Sequence, residues 1–431
     1  VGLFGTDGVR GLANGDLLTA ELALGLARSA AHEVGAGRVV IGRDTRPSGS
    51  LLAAAAAAGF ASAGVEVLDL GVVPTPVVAF ACASGVADLG LVVSASHNPM
   101  PDNGLKLFGP GGWKLTDAQE AAIETGLGTT WSRPTGTDVG TVGSHDLRTS
   151  YVEAVVDGLA TRLRGLKVVV DCAEGAAWEL APAVYRAAGA EVVAIHATGD
   201  GSRINDGCGA THLADLQAAV VAHGADLGLA HDGDADRCLA VDATGAVVDG
   251  DQLLALLAVG RKVPTVVATV MSNLGFVRAM REHGVEVLQT AVGDRYVLAA
   301  MRAEGHVLGG EQSGHLLQLD RATTGDGIRT GVAVLEQLAE TGASLRELAA
   351  VMTRLPQVLV NVRAPRDRAS AAEVLTAVAA EEAALGDGGR VLLRPSGTEP
   401  LVRVMVEAET AAQAQAVAER LAAIVSRVVA D

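Results

Sequence analysis

Short apolar runs rich in valine, isoleucine and leucine alternate with longer alanine-rich stretches along this chain, and the alternation itself recurs. Val39-Val40-Ile41-Gly42-Arg43-Asp44, Val168-Val169-Val170-Asp171-Cys172 and Val266-Val267-Ala268-Thr269 each join a β-branched run to a polar loop. Runs of that length and composition read as buried strands. A helical stretch follows each, most clearly at 51–63. Each copy then offers a glycine-led strand: Gly64-Val65-Glu66-Val67-Leu68, Gly189-Ala190-Glu191-Val192-Val193 and Gly284-Val285-Glu286-Val287-Leu288. A third strand closes each copy. It reads Ala87-Asp88-Leu89-Gly90-Leu91 in the first, the same pentapeptide from Ala225 in the second, and Gly305-His306-Val307-Leu308-Gly309 in the third. Strands alternating with helices predict βαβ units and parallel sheets. The repeat is far longer than a solenoid period, so the copies are domains in sequence.

The pattern changes after Pro365. Strands are expected at 358–362, 390–393 and 401–407, and helices at 370–385 and 411–429. The sequence therefore predicts an α/β protein: three related mixed α/β domains in tandem, over 1–149, 150–250 and 251–363, plus a smaller C-terminal α+β domain over 364–431, around one central cleft.

Equivalent strands end in equivalent loops, and those loops hold the densest polar sequence. The first is Ser94-Ala95-Ser96-His97-Asn98-Pro99, the second His231-Asp232-Gly233-Asp234-Ala235-Asp236-Arg237, and the third Gly310-Glu311-Gln312-Ser313-Gly314-His315. Strand C-termini are where open α/β sheets bind ligands. Unlike loops on like scaffolds suggest one composite cleft with divided labour. Taken alone, the first loop reads as a Ser/Asn turn halted by Pro99 sooner than as the seat of a serine nucleophile; the rest of the chain shifts that balance.

Asp232, Asp234 and Asp236 repel one another unless a cation lies between them. Oxygen-only donors select a hard ion, and Mg²⁺ suits phosphate chemistry. The loop is not an EF-hand, because Arg237 and Ala243 stand where its glycine and glutamate belong. A divalent ion beside Ser96 would turn that serine into a phosphoryl carrier. Lys106 and His315 are the candidates for moving a proton on a sugar hydroxyl; Lys106 reads either as a base of lowered pKa or as a snorkelling surface lysine. His97 either orients its loop or takes part in the chemistry. Glu311 and Ser313 offer an acceptor and a donor to adjacent sugar substituents, the carboxylate suiting an ammonium group. The glycine-dense turn Phe4-Gly5-Thr6-Asp7-Gly8-Val9-Arg10-Gly11 and the turn Arg394-Pro395-Ser396-Gly397-Thr398-Glu399-Pro400, with Arg403 beyond it, suit oxyanions.

Composition narrows the picture. Among 431 residues, 49% are hydrophobic and 19% charged, so the chain is globular, and its length calls for more than one domain. The net charge of −17 argues against a nucleic-acid binder, which needs a basic face, but not against a phosphorylated small substrate. The longest apolar stretch, 51–65, is too alanine-rich to span a membrane, and no apolar leader is visible, so no membrane partner is expected. Cys82, Cys172, Cys208 and Cys238 are widely spaced, which argues against disulfides or a zinc site and for a reducing cytoplasm.

With these loops in view, the sequence resembles the α-D-phosphohexomutase superfamily across essentially its whole length. The loops at Ser94–Pro99, Asp232–Arg237, Glu311–His315 and Arg394–Pro400 match its phosphoserine, magnesium, sugar and phosphate loops in order. Further clues are Phe4 to Gly11, Asn205-Asp206-Gly207-Cys208-Gly209-Ala210-Thr211-His212 and Val292-Gly293-Asp294-Arg295-Tyr296-Val297. They make the chain most similar to the bacterial branch that interconverts glucosamine 6-phosphate and glucosamine 1-phosphate. Ala210 and Ala291 stand where that branch would carry serine and proline. The resemblance implies a phosphate on Ser96, one Mg²⁺ per chain held by Ser96, Asp232, Asp234 and Asp236, and a bisphosphorylated sugar as intermediate or activator. It implies catalytic roles for Arg10, Lys106 and His315, and sugar contacts from Glu311 and Ser313. Arg394, Ser396, Gly397, Thr398 and Arg403 would grip the phosphate that is not reacting. His97, Asn98 and Arg237 would support the site. A hexosamine phosphate is the expected partner, and a homodimer is compatible with it. The rivals are a phosphoglucomutase or phosphomannomutase of the same superfamily, a magnesium-dependent phosphatase with an aspartate nucleophile, and an inactive sugar-phosphate binder.

Overall fold

The structure is a computed structural model that describes residues 2–5, 7–395 and 400–427. In the first copy, Val9–Leu12 (β1), Arg38–Arg43 (β2), Glu66–Val72 (β3), Leu89–Val93 (β4), Asp102–Phe108 (β5) and Val142–Ser144 (β6) form one sheet in the order β1-β5-β4-β2-β3-β6. The second copy joins Lys167–Asp171 (β7), Glu191–Ile195 (β8), Leu227–His231 (β9), Cys238–Asp242 (β10) and Val247–Val248 (β11) in the order β11-β10-β9-β7-β8. The third joins Thr265–Thr269 (β12), Glu286–Thr290 (β13), Leu308–Gly310 (β14) and Leu316–Gln318 (β15) in the order β13-β12-β14-β15. The shared plan places the first strand of each copy between the second and third, both parallel to it.

The expectation of parallel sheets holds for those strands and fails beyond them. After each polar loop the chain returns antiparallel, as β5 beside β4, β10 beside β9 and β15 beside β14. The loops are too short for a parallel crossover, which needs a dozen or more residues. Each functional loop is thus the turn of a hairpin whose first strand is buried in its sheet.

Small side chains set the packing of the first copy. Helix Gly49–Ser62 lies against helix Ala20–Val34. A Cβ on Gly59 would stand 2.3 Å from the Leu24 carbonyl oxygen, so the backbones approach more closely than any larger residue allows. Leu52 and Phe60 are fully buried in this core with Ile41, Leu89 and Leu91. Each large side chain so buried contributes about 2–3 kcal/mol.

Contacts divide the chain into two compact units, 1–271 with 285–351, and 272–284 with 352–431. The first holds the three sheets just described. In the second, Gln357–Arg363 (β16), Arg390–Pro395 (β17) and Leu401–Glu407 (β18) form a sheet in the order β16-β18-β17, packed with helices Ala372–Leu385 and Ala411–Arg427. The division expected at 363/364 comes too late, because β16 pairs with β18 along its whole length. The other two expected divisions fall inside helices Arg148–Val156 and Gly250–Gly260. Helix Leu274–Glu282 also belongs to the second unit. Buried Glu407 explains this: its oxygens accept from Asn273 Nδ2 (3.2 Å), the Leu274 amide (2.9 Å) and Arg390 Nε (2.7 Å).

Candidate active site

The serine loop is held from below. Ser96 has φ +54°, a left-handed conformation that a β-substituted residue adopts only under constraint. Its amide donates to Ser94 Oγ at 2.9 Å, and Ser94 Oγ donates to Asp44 Oδ2 at 2.5 Å. Asp44 in turn accepts from Arg46 Nε at 2.9 Å. The buried Arg46 guanidinium also donates to the carbonyls of Ser96 (3.0 Å), Asn98 (2.7 Å), Pro99 (2.5 Å) and Asp102 (2.8 Å). Asn205 Nδ2 adds bonds to the Ser96 and Asn98 carbonyls at 2.9 and 3.0 Å. The Asn98 side chain ties back to Asp102 at 3.0 Å and closes the turn.

The aspartate loop meets this turn directly. Ser96 Oγ donates to Asp232 Oδ2 at 2.5 Å and stands 3.2 Å from His97 Nδ1. A Cβ on Gly233 would lie 2.5 Å from the Ser96 carbonyl oxygen, so only glycine lets the loops close to this distance. Asp232, Asp234 and Asp236 are buried, and one oxygen from each falls within 4.8 Å of the others. Asp234 Oδ1 and Asp236 Oδ1 are buried without a hydrogen-bond partner among the described residues. Orphaned carboxylate oxygens in an all-oxygen set fit a hard divalent cation. Burial, then the neighbouring Asp236 and Asp234, push the Asp232 carboxyl up to about 8.

Both readings of Lys106 are corrected here. It is buried on β5, not a surface lysine, and its Nζ lies 2.7 Å from Asp234, 2.8 Å from Asp7 and 3.5 Å from Asp236. Burial alone would lower its pKa, but these carboxylates outweigh it and hold the ammonium well above its ordinary value. Lys106 is therefore a cation and hydrogen-bond donor in this arrangement. His97 moves the other way: burial, then Arg237 and Arg10, lower it to about 4, which leaves it neutral at pH 7.

A cavity of about 410 Å³ opens beside these loops, lined by Arg10, His97, Asp236, Arg237, Glu311 and His315 among others. Arg10 Nη2 pairs with Asp7 at 2.6 Å. His315 sits between Asp236 (3.5 Å) and Asp294 (3.3 Å). Burial opposes its protonation, but the two carboxylates raise its pKa overall. Arg237 Nε reaches within 3.9 Å of Asp232 and 3.8 Å of Asp236. Glu311 accepts from the Gly293 amide at 3.1 Å, while Ser313 Oγ lies 3.5 Å from Glu311 and does not line this cavity.

On the second unit, Arg394 of β17 and Arg403 of β18 are direct cross-strand partners. Like charges so placed repel unless an anion lies between them. Ser396, Gly397 and Thr398 lie outside the described residues.

Sequence profiles of the phosphoglucomutase/phosphomannomutase family match along the chain: alpha/beta/alpha domain I over 1–132, domain II over 149–245, domain III over 249–355 and the C-terminal domain over 359–424. A phosphoglucosamine mutase of Frankia casuarinae is 61% identical, with 99% of this chain and 98% of the relative covered. The chain belongs to the α-D-phosphohexomutase superfamily. A phosphoglucosamine mutase from a Nocardioides strain is 60% identical, over 99% of this phosphohexomutase and 98% of the relative. A crystal structure of a phosphoglucomutase/phosphomannomutase family protein from Burkholderia thailandensis matches with a TM-score of 0.82 at 29% identity, covering 98% of this chain and 97% of that one. No helix among the described residues of the phosphohexomutase is long and apolar enough to cross a membrane.

Sequence reasoning left several of this phosphohexomutase's site residues unassigned. Arg46 and Asp44 follow the first buried strand, and two charges there are the signal that could have singled them out. Asp7 and Asp294 lie in quoted motifs without an assigned role. Lys114, which bonds both Asp7 (2.6 Å) and Asp294, had no local pattern to mark it.

Proposed function

We propose that this phosphohexomutase interconverts glucosamine 6-phosphate and glucosamine 1-phosphate through a phosphate carried on Ser96, feeding amino-sugar nucleotide and cell-wall precursor synthesis in the cytoplasm. The observation that carries this reading is Ser96 Oγ 2.5 Å from Asp232, in a constrained turn against three buried carboxylates. The naming of relatives around 60% identical favours the amino sugar over glucose or mannose phosphates.

In the forward half-reaction the Ser96 Oγ–phosphorus bond breaks and a bond forms from phosphorus to a sugar hydroxyl oxygen, which loses its proton. The resulting bisphosphorylated sugar turns over, and its other phosphoryl group returns to Ser96. Asp232, Asp234 and Asp236, with the Ser96 phosphate, would hold one Mg²⁺, which when bound neutralises phosphate charge and polarises phosphorus. Lys106 and Arg10 supply fixed positive charge beside the serine loop. His97, neutral and 3.2 Å from Ser96 Oγ, is able to accept a proton, and protonated His315 is able to donate one to a departing sugar oxygen. Glu311 offers its carboxylate to the substrate ammonium. Arg394 and Arg403 suit the phosphate that is not reacting.

Intact-mass measurement of wild type and Ser96→Ala tests the mechanism. A phosphate's mass on wild type that exchanges with labelled substrate and is absent from Ser96→Ala is expected, with activity down at least ~10³-fold. Retained activity in Ser96→Ala favours the phosphatase reading instead. A clear preference for glucose 1-phosphate over the amino sugar overturns the substrate assignment alone.

A further inference from the structure

Away from the cavity, a second group of potential metal donors sits at the carboxyl edge of the second sheet. Asp171 is the last residue of β7, and its register partner Ile195 is the last of β8. His196 follows immediately, so Asp171 and His196 stand at the C-terminal ends of adjacent parallel strands, where such sheets bind ligands. Cys208 comes from the loop after β8. One donor atom from each of Asp171, His196 and Cys208 lies within 4.8 Å of the others.

The surroundings orient these donors. Asp171 Oδ1 accepts from the Ala173 amide and Oδ2 from the Gly209 amide, both at 2.9 Å, so the carboxylate is fixed. His196 Nε2 lies 3.2 Å from Asp215 Oδ2. A carboxylate behind an imidazole selects the tautomer whose other nitrogen is free to ligate. That nitrogen, Nδ1, is buried 3.1 Å from Asp171 Oδ2, an ion-pair contact that a cation held by both groups would replace.

We propose that Asp171, His196 and Cys208 form a second cation site, selective for a borderline-soft divalent ion of the zinc type and separate from the all-oxygen site at Asp232, Asp234 and Asp236. Thiolate and imidazole donors favour such ions, whereas carboxylates alone favour magnesium. Zinc–ligand bonds of about 2.0–2.3 Å set tetrahedral donors roughly 3.3–3.9 Å apart, so the present spacing closes by about 1.5 Å at most. With three protein donors, a water or a small exogenous ligand completes the shell. Access runs past the His196 side chain, which is 18% exposed, since Asp171 and Cys208 are buried. Ligation by the Cys208 thiol needs its thiolate form, so binding releases a proton. Cysteine spacing speaks only to short motifs, and these donors come from the end of β7 and from two separate points in the connection after β8.

Cobalt(II) tests the site in the full chain, stripped with chelator and then saturated with Mg²⁺. One equivalent should give a thiolate-to-cobalt charge-transfer band in the near ultraviolet, which Zn²⁺ displaces. Cys208→Ser and His196→Ala should each lose the band, whereas Cys172→Ser and Asp234→Asn should keep it, with circular dichroism confirming the fold. Zn²⁺ should raise the melting temperature of wild type and not that of His196→Ala. No band in folded wild type, or a band surviving either Cys208→Ser or His196→Ala, overturns the proposal. None of these readouts depends on the substrate.

Discussion

The serine loop and the aspartate loop are the same hairpin turn in successive copies, yet they are completed in opposite ways. Around Ser96, Arg46 and Asn205 fill the loop carbonyls, and Ser94 meets the amide. Around Asp232 the balance is left open, with two buried carboxylate oxygens that lack a hydrogen bond among the described residues and one carboxyl pushed up to about 8. The first turn fixes an atom in place through bonds to neutral backbone, and holds a constrained φ at the same time. The second concentrates three carboxylates, which Lys106, Arg237 and His315 neutralise only in part and which a divalent cation would bridge. Position is built into one loop and charge is reserved in the other.

Three perturbations separate the two. The largest effect is expected from Asp232→Asn, which removes a donor from the metal set and the partner of Ser96 Oγ. Turnover should fall by at least ~10³-fold, equivalent to about 4 kcal/mol, with the fold retained. Arg46→Met acts on the other loop. It leaves Asp44 buried without its guanidinium and strips a donor from each of the four loop carbonyls. A loss of about 3–5 kcal/mol in urea denaturation is expected, and Arg46→Lys should recover only part of it, because an ammonium cannot reproduce the planar fork. Mg²⁺ at a hundredfold excess over its Kd should then stabilise wild type by about 2.7 kcal/mol, reversibly with chelator. Asp232→Asn should lose that gain, whereas Arg46→Lys should keep it. A Mg²⁺ effect of equal size in Asp232→Asn would place the ion elsewhere.

The sheets were legible in the sequence because strand and helix periods are local, and the repeated Ala-Asp-Leu-Gly-Leu fixed which strands correspond. The returning strands β5, β10 and β15 were harder to see, since direction depends on loop length and not on composition. Ser96 and the three aspartates could be named because their loops are contiguous. The ionisation of Lys106 could not, because it depends on Asp7, Asp234 and Asp236, drawn from distant stretches of chain. Arg46 escaped for a related reason: the charges at Asp44 and Arg46 mark the strand end, but the backbone carbonyls that Arg46 bonds come from a distant loop. The C-terminal boundary was misplaced because β16 looks like any other strand until its pairing with β18 is known.

The smallest effect tests the division of labour within the serine loop. Ser94 Oγ donates to Asp44 and accepts from the Ser96 amide, so Ser94→Ala leaves that amide unmet and takes one of several bonds from Asp44. Asp44 keeps Arg46 through both the guanidinium and the Arg46 amide, each at 2.9 Å, so the anion stays paired. The cost should be about 1–2 kcal/mol, the scale of one lost buried hydrogen bond. Turnover should fall roughly tenfold or less, since Arg46 and Asn205 still hold the Ser96 carbonyl. The phosphate should remain on the protein, as mass spectrometry of the folded variant would show. If Ser94→Ala instead abolishes phosphorylation while the urea midpoint hardly moves, then Ser94 and not Ser96 carries the group, and the constrained φ at Ser96 serves only the turn.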